Sequence, residues 1–462
     1  MDCRNHARST HGGNTQNSIM AERLVILGGG ESGTGAAYLG QKKGYEVFLS
    51  DKGKLKEKYA ENLRSWDIEY EEGTHSEDKI LNADLVIKSP GIPETAPLIQ
   101  SLRRKGVTVI SEIEFGLKYT NAKTIGITGT NGKTTTTLLT HHMLTKAGLN
   151  VGLAGNIGKS LAWQVADTEF DYIVIEISSF QLDGMFDSRI NIAVLMNITP
   201  DHLDRYGSMD DYIASKMRIA QNQTKDDAFI YCADDANITN ALNDSMKAKR
   251  LPFTLNGTVA EGAYIEQQNL HINLNNSNLT MSIHELALQG RHNSYNTMAG
   301  GIVGRLLELR KDVVRESMSD FSAVEHRLEP VGKVQGIEFI NDSKATNINS
   351  TWYALECQNQ PVIWIVGGVD KGNDYSMVAE LVKDKVKAII CLGTDNEKIH
   401  RAFEGIVETI VDTQSAAEAV KTSYYLGKKG DTVLLSPACA SFDLFENYED
   451  RGRQFKAAVR SL

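Results

Sequence analysis

The stretch "KTIGITGTNGKTTTT" at residues 123–137 constrains this chain more than any other. An apolar, β-prone run precedes the glycines and the helix-compatible run "TTTTLLTHHMLTKAG" follows them, so Gly129 and Gly132 fall between a buried strand and a helix start. That junction suits an anion. Glycines let backbone N–H groups approach phosphate oxygens, Lys133 supplies a mobile positive charge for the β/γ oxygens, and the Thr134 hydroxyl can join a Mg²⁺ shell. The common form of this loop has a further glycine five positions before Gly132. Position 127 is Ile, so the loop is a shortened variant.

Bulk properties narrow the setting. With 462 residues, 41% hydrophobic and 23% charged, the chain is long enough for about three globular domains. No segment approaches the roughly 18 uninterrupted apolar residues that span a bilayer, so no membrane association is expected. The net charge of −10 argues against a general nucleic-acid binder, which needs a basic face. Cys3, Cys232, Cys357, Cys391 and Cys439 form no C-x-x-C pair, which fits a reducing cytoplasm and neither a disulfide framework nor a zinc site. Residues 1–19 are polar and lack the apolar core of a signal peptide; they are expected to be a disordered tail, with Met20 as the natural start.

Strand and helix patterns alternate in three α/β units, expected at 20–111, 112–323 and 324–462. The first opens with "RLVIL", a glycine-rich turn and a helix-like run. Gly28, Gly30 and Gly33 satisfy G-x-G-x-x-G, and Asp51 ends the next strand, as in a dinucleotide-binding turn. By itself this motif leaves a dinucleotide, another nucleotide and no ligand all open. The second unit holds the phosphate loop and two further buried strands, one running into Glu176 and the other into Asp201, His202 and Asp204. Ligands collect at the carboxyl ends of parallel strands, so these groups converge on the loop. Segments from about 228 to 290 alternate with Asn-rich turns and read as a small antiparallel insertion. The third unit, with strands "IEFIND", "VIWIVGG", "AIICLG", "VETIVD" and "TVLLSP", reads as another doubly wound sheet.

Glu176 and His202 at neighbouring strand ends can share Mg²⁺ with a nucleotide, Glu176 by hard carboxylate oxygen. A capping or hydrogen-bonding role is the lesser alternative for His202, since imidazole is an unusual Mg²⁺ ligand, and Glu176 is the firmer of the two. His141 and His142 are adjacent on a helix and point about 100° apart, so they cannot chelate one ion together. Cys439 precedes a helix start without an evident His partner and reads as a packing residue.

The strings "ITGTNGKTTT", "GNIG", "EISSFQL", "MNITPDHLDRY", "GRHNSYN", "EHRLE", "NDSKATN", "GGVDKG" and "LSPACASFDLFENYEDRG", in this order, resemble the ATP-dependent Mur ligases of peptidoglycan synthesis. The likeness is to the branch that adds D-glutamate to UDP-N-acetylmuramoyl-L-alanine. It implies three consecutive α/β domains: N-terminal Rossmann-like, central P-loop-type mononucleotide-binding ATPase, C-terminal Rossmann-like. It also implies a monomeric cytoplasmic enzyme that forms an acyl phosphate.

Under this resemblance ATP lies on Gly129, Thr130, Asn131, Gly132, Lys133, Thr134 and Thr135, with Asn293 and Asn296 at the adenine, Arg327 at the phosphates and Asp342 at the ribose. Two Mg²⁺ ions use Thr134, Glu176, His202 and Lys216, the last carbamylated; without the resemblance Lys216 reads as a solvated helix lysine. Lys133, His202 and Lys216 carry the catalysis. The uridine substrate would meet Glu31, Ser32, Asp51, Lys52, Ser89, Asn156 and His202, although a Glu beside phosphates is electrostatically awkward. D-Glutamate would meet Lys344, Thr346, Lys371, Ser441 and Phe442. Rival readings are another Mur ligase or a folate-polyglutamylating relative with a different amino acid, and, more distantly, an NAD-dependent oxidoreductase or a nucleotide-regulated binding module.

Overall fold

The computed structural model describes residues 21–288, 290–321 and 325–462. The tail expected at 1–19 and the start at Met20 lie outside the described residues. Three sheets follow one another along the chain. The first is parallel throughout, in the order β3-β2-β1-β4-β5, built from β1 (Arg23–Leu27), β2 (Glu46–Asp51), β3 (Glu69–Glu72), β4 (Leu85–Lys88) and β5 (Thr108–Ile110). Leu24 to Leu27 are wholly buried because helices cover both faces of such a sheet, which explains the unbroken apolar run. β3, "EYEE", has no such run and is invisible to a hydrophobicity reading.

The central sheet comprises β6 (Lys123–Thr128), β7 (Val151–Gly155), β8 (Tyr172–Glu176), β9 (Ile192–Leu195), β10 (Ala228–Cys232), β11 (Lys249–Thr254), β12 (Gly262–Glu266), β13 (Asn269–Leu274) and β14 (Ser277–Ser282). Its order is β14-β13-β12-β11-β10-β9-β6-β8-β7. The segments after 228 are therefore not a separate antiparallel insertion. β10 pairs parallel with β9, β11 with β10 and β12 with β11, and only β12 to β14 run antiparallel. The reason is burial: Phe229, Ile230, Leu251 and Phe253 are fully covered and join the same core as β6, β8 and β9.

In the third sheet, β15 (Glu329–Val334), β16 (Ile337–Asn341), β17 (Val362–Val366), β18 (Val386–Leu392), β19 (Ile410–Thr413) and β20 (Thr432–Leu435) take the order β15-β16-β20-β17-β18-β19. Only β15 runs antiparallel to its neighbour. The helices that matter below are α1 (Glu31–Lys42), α2 (Glu112–Leu117), α3 (Lys133–Lys146), α4 (Leu161–Asp167), α5 (Met209–Met217), α6 (Arg291–Leu306) and α7 (Tyr448–Arg460). Among the described residues no helix is long and apolar enough to cross a membrane.

Both glycine-rich turns sit at topological switch points. β1 lies between β2 and β4, and β6 between β8 and β9, so the chain leaves in opposite directions on either side and opens a crevice at each carboxyl end. The first two units dock closely through α1, α2 and α4. The buried carboxylate of Glu112 accepts from Ser160 Oγ at 2.7 Å and from Ala162 N at 2.6 Å at the start of α4. Burial raises its pKa from the ordinary 4.5 to about 7.

Candidate active site

β6 continues through Ile127 and Thr128, both wholly buried or nearly so, before the turn begins at Gly129. Ile127 thus belongs to the strand, and this shortens the loop. Gly132 has φ of +82°, and a Cβ there would press on Asn296 Oδ1, so the position requires glycine. The amides of Thr130 and Asn131 donate to Asn197 O and Asn197 Oδ1 at 2.9 and 2.8 Å, which fixes the loop against the end of β9. The 14-residue helix α3 then presents its N-terminal amides and dipole to the crevice. The Lys133 ammonium spans the turn, donating to the carbonyls of Gly129 and Thr130 at 2.8 and 2.9 Å. Burial lowers its pKa, while the charges of Glu176 and Asp201 oppose that.

Glu176 ends β8 with no exposure. Its Oε1 accepts from Asn156 Nδ2 at 2.8 Å, while among the described residues its Oε2 is buried with no hydrogen-bond donor. An unpaired buried carboxylate oxygen is costly, and a hard cation beside the phosphate loop would satisfy it. The donor set therefore fits Mg²⁺. His202 lies across the same cleft in the left-handed region, φ +56°, with its amide donating to Asp201 Oδ1 at 2.9 Å. Burial lowers the His202 pKa to about 4, which leaves a neutral ring with a free lone pair at pH 7.

Lys216 is 1% exposed. Ser208 caps α5, and Tyr212 and Lys216, four residues apart, both face inward. The amine donates to Gly129 O at 3.0 Å and lies over the Tyr212 ring, 4.6 Å from its centre. No carboxylate pairs with it among the described residues. Burial and the nearby Lys133 charge lower its pKa well below the usual lysine value. The solvated-lysine reading is thereby overturned.

The third unit supplies the opposite wall. Arg327, Lys344, Thr346 and Lys371 line the cleft together with Thr130 to Thr134, Asn156, Glu176 and His202. Burial brings Lys344 down to about 8. Three residues that the sequence reading does not single out, Asn347, Ser350 and Tyr448, stand with them, together with Asp201, which it places beyond β9 beside His202. Ser350 Oγ donates to Asn131 Oδ1 at 2.7 Å, and Lys371 Nζ approaches Asp201 Oδ1 at 3.4 Å, so the second and third units touch across the cleft. Asn347 and Tyr448 lie within the strings "NDSKATN" and "LSPACASFDLFENYEDRG", and Ser350 three residues after the first, but the strings alone do not tell which of their side chains reach the cleft.

Other expected groups lie apart. Asn296 and Asp342 line an adjoining cavity with Arg327, His292 and Tyr353, and Thr135 and Asn293 line the next one. Asn296 Nδ2 donates to Asn293 Oδ1 at 3.0 Å, and buried Asp342 accepts from Ser436 Oγ at 2.9 Å. Burial raises Asp342 to about 6. Ser441 is buried and Phe442 is 74% exposed, and neither lines these cavities. Arg451 of α7, fully buried, instead ties this region together by donating to Cys439 O, Ser343 O and Ser343 Oγ. Cys439 packs against Tyr375, and burial raises its pKa to about 11.

At the first sheet, Asp51 Oδ2 accepts from Gly29 N at 2.6 Å and Oδ1 from Gly53 N at 2.7 Å, so this carboxylate shapes its own glycine turn. Glu31 accepts from Ser160 N at 3.2 Å, a contact with the second unit. Ser32 opens α1, Lys52 is exposed after β2, and Ser89 packs against the Gly28 turn.

Family models match along the whole of this arrangement: MurD N-terminal domain at residues 23–97, Mur ligase middle domain at 127–304, and Mur ligase, glutamate ligase domain at 326–439. A protein of Christiangramia forsetii named UDP-N-acetylmuramoylalanine--D-glutamate ligase is 57% identical over 96% of this chain and 100% of its own length. One of the same name from Bacteroides thetaiotaomicron is 55% identical over 96% and 100%. In fold, the UDP-N-acetylmuramate-alanine ligase MurC of Thermotoga maritima superposes with a TM-score of 0.62 at 19% identity, covering 95% of this chain and 99% of that one. Three sheets in this order, the shortened phosphate loop, and relatives more than half identical over nearly the full length place the chain in the Mur ligase family.

Proposed function

We propose that this chain joins the amine of D-glutamate to the alanyl carboxylate of UDP-N-acetylmuramoyl-L-alanine at the expense of ATP, as a cytoplasmic monomer with domains at 20–111, 112–323 and 324–462. The observation that carries this reading is the two-sided cleft: phosphate loop, unpaired Glu176 oxygen, His202 and Lys216 on one wall, and Arg327, Lys344 and Lys371 on the other. A carboxylate repels nucleophiles and has no workable leaving group. Transfer of the γ-phosphoryl to it yields an acyl phosphate; the amine attacks its carbonyl carbon, and inorganic phosphate departs from the tetrahedral intermediate.

Catalysis of such a transfer is positioning and charge neutralisation. Lys133 follows the charge on the β/γ oxygens, and the α3 amides hold them. Mg²⁺, when bound, supplies further neutralisation of phosphate charge. Thr134 and Glu176 would hold one ion, and His202 with Lys216 a second. Burial and the Lys133 charge disfavour the Lys216 ammonium and so favour the neutral amine, the form that adds to CO₂ with loss of a proton to give a carbamate; an anion there would support a metal where an ammonium repels it. Lys344 and Lys371 bind the D-glutamate carboxylates, and Asn293 and Asn296 face the adenine. The interdomain contacts exclude water that would hydrolyse the acyl phosphate.

The test is ligation with an oxygen-18-labelled acceptor carboxylate. Phosphate release should require both UDP-N-acetylmuramoyl-L-alanine and D-glutamate, and one label should appear in the phosphate. Absence of an amide product, or unlabelled phosphate, refutes the reading.

A further inference from the structure

The loop after β4 and the loop after β9 belong to different units, yet one side chain joins them. Arg205, three residues after His202, donates from Nη1 to Pro90 O at 2.7 Å. Its guanidinium carbon lies 3.8 Å from the centre of the Phe180 ring, a close cation–π stack. Phe180, four residues after Glu176, also meets the His202 ring in an edge arrangement at 4.8 Å and stacks with Tyr206 at 5.8 Å. Pro90 follows Ser89, whose amide donates to Leu27 O at 2.8 Å and whose side chain packs where a Cβ on Gly28 would stand. From the glycine turn of the first sheet to His202, the contacts are continuous.

We infer that Arg205 is a positioning residue: with Phe180 as its platform, it fixes the substrate-side loop Ser89–Pro93 relative to His202, so that an acceptor seated on the first unit arrives in register with the phosphate loop. This rests on the ligase reading for its kinetic consequence, but the strut itself does not. His202 holds a left-handed backbone that its surroundings must enforce, and the ring of Phe180 beside it is held in turn by Arg205. An Arg is suited to this because its planar fork can stack and donate at once, whereas Lys offers a point charge.

Two measurements on the full chain test it. In R205A, kcat for amide formation should fall about 30-fold per folded molecule with KM for ATP within twofold of wild type, since about 1 Å of misplacement costs up to 100-fold. R205K should recover part of the loss, and Phe180→Leu should lower kcat in the same pattern. A merely structural role would lower Tm and the folded yield and leave kcat per folded molecule intact, and that result overturns the inference. Independently of any ligation, hydrogen exchange across residues 89–96 should speed up at least tenfold in R205A while the rest of the first sheet is unchanged. Unaltered exchange there refutes the strut even if the ligase reading stands, and faster exchange supports it even if wild-type protein ligates nothing.

Discussion

The two glycine-rich turns, Gly28 to Gly33 and Gly129 to Gly132, end equivalent strands at equivalent switch points and carry opposite side-chain chemistry. In the first, an acidic group braces the turn: Asp51 accepts from Gly29 N, and Glu31 is directed onto Ser160. In the second, a basic group lies over the turn: Lys133 donates to two loop carbonyls, with Lys216 reaching Gly129 from behind. A turn that only holds a nucleotide can rely on amides and a rigid frame. A turn at which phosphoryl charge moves also needs mobile cations close by. On the proposed function, the same backbone device serves as a grip or a reaction centre according to the charges set beside it: Asp51 at the end of β2 for the first turn, Lys133 at the start of α3 and Lys216 on α5 for the second.

The largest expected effect breaks the second turn and spares the first. K133A should lower kcat by about 10³-fold or more while the Kd for the uridine substrate, measured calorimetrically, stays within twofold. K216A should cost about 100-fold in kcat and raise the Mg²⁺ concentration needed for half-maximal rate. The converse variant, D51A, releases the Gly29 amide. It should raise KM for the uridine substrate about tenfold and leave kcat within threefold; an equal fall in kcat would erase the distinction between grip and reaction centre.

The remaining tests use pH. Lys344 loses its ammonium as pH rises through about 8, so KM for D-glutamate should climb above that pH while KM for ATP does not. The smallest effect concerns the docking of the two turns' units. Because the fold raises Glu112 from 4.5 to about 7, it favours the protonated form; its contribution to stability is complete below 4.5 and is lost as pH rises to 7. E112Q should flatten the fall of Tm over that window by a few degrees.

Much of the architecture is legible without coordinates. Apolar runs such as "RLVIL" and "VIWIV" mark strands buried on both faces, and glycines after β1 and β6 mark both crevices. Polar edge strands escape such a reading: "EYEE" and "EPVGKV" set only Tyr70, Val331 and Val334 against the core, too few to make an apolar run. β10 to β14 look like a separate insertion because of their short alternating segments and Asn-rich turns, until Phe229 and Phe253 are seen in the common core. Ser350, Asn347 and Tyr448 show the corresponding limit at the site: they lie in or beside strings that carry the family resemblance, yet only the facing sheets show that their side chains reach the cleft.

The cations at 327, 344 and 371 are named by the family resemblance; what the sequence by itself determined is the chemistry at the strand ends of the central sheet: a phosphate loop with its lysine, a carboxylate at 176 and an imidazole at 202. These follow from local spacing, because strand, turn and helix are set by residues adjacent in the chain. Only the tertiary structure decided which of them meet, that Lys216 is buried with no carboxylate paired to it among the described residues, that Glu31 accepts from Ser160, and that Arg205 spans two units. Those are properties of packing between residues tens to hundreds of positions apart, where burial and the partners brought in by other elements, not residue type, fix charge and role.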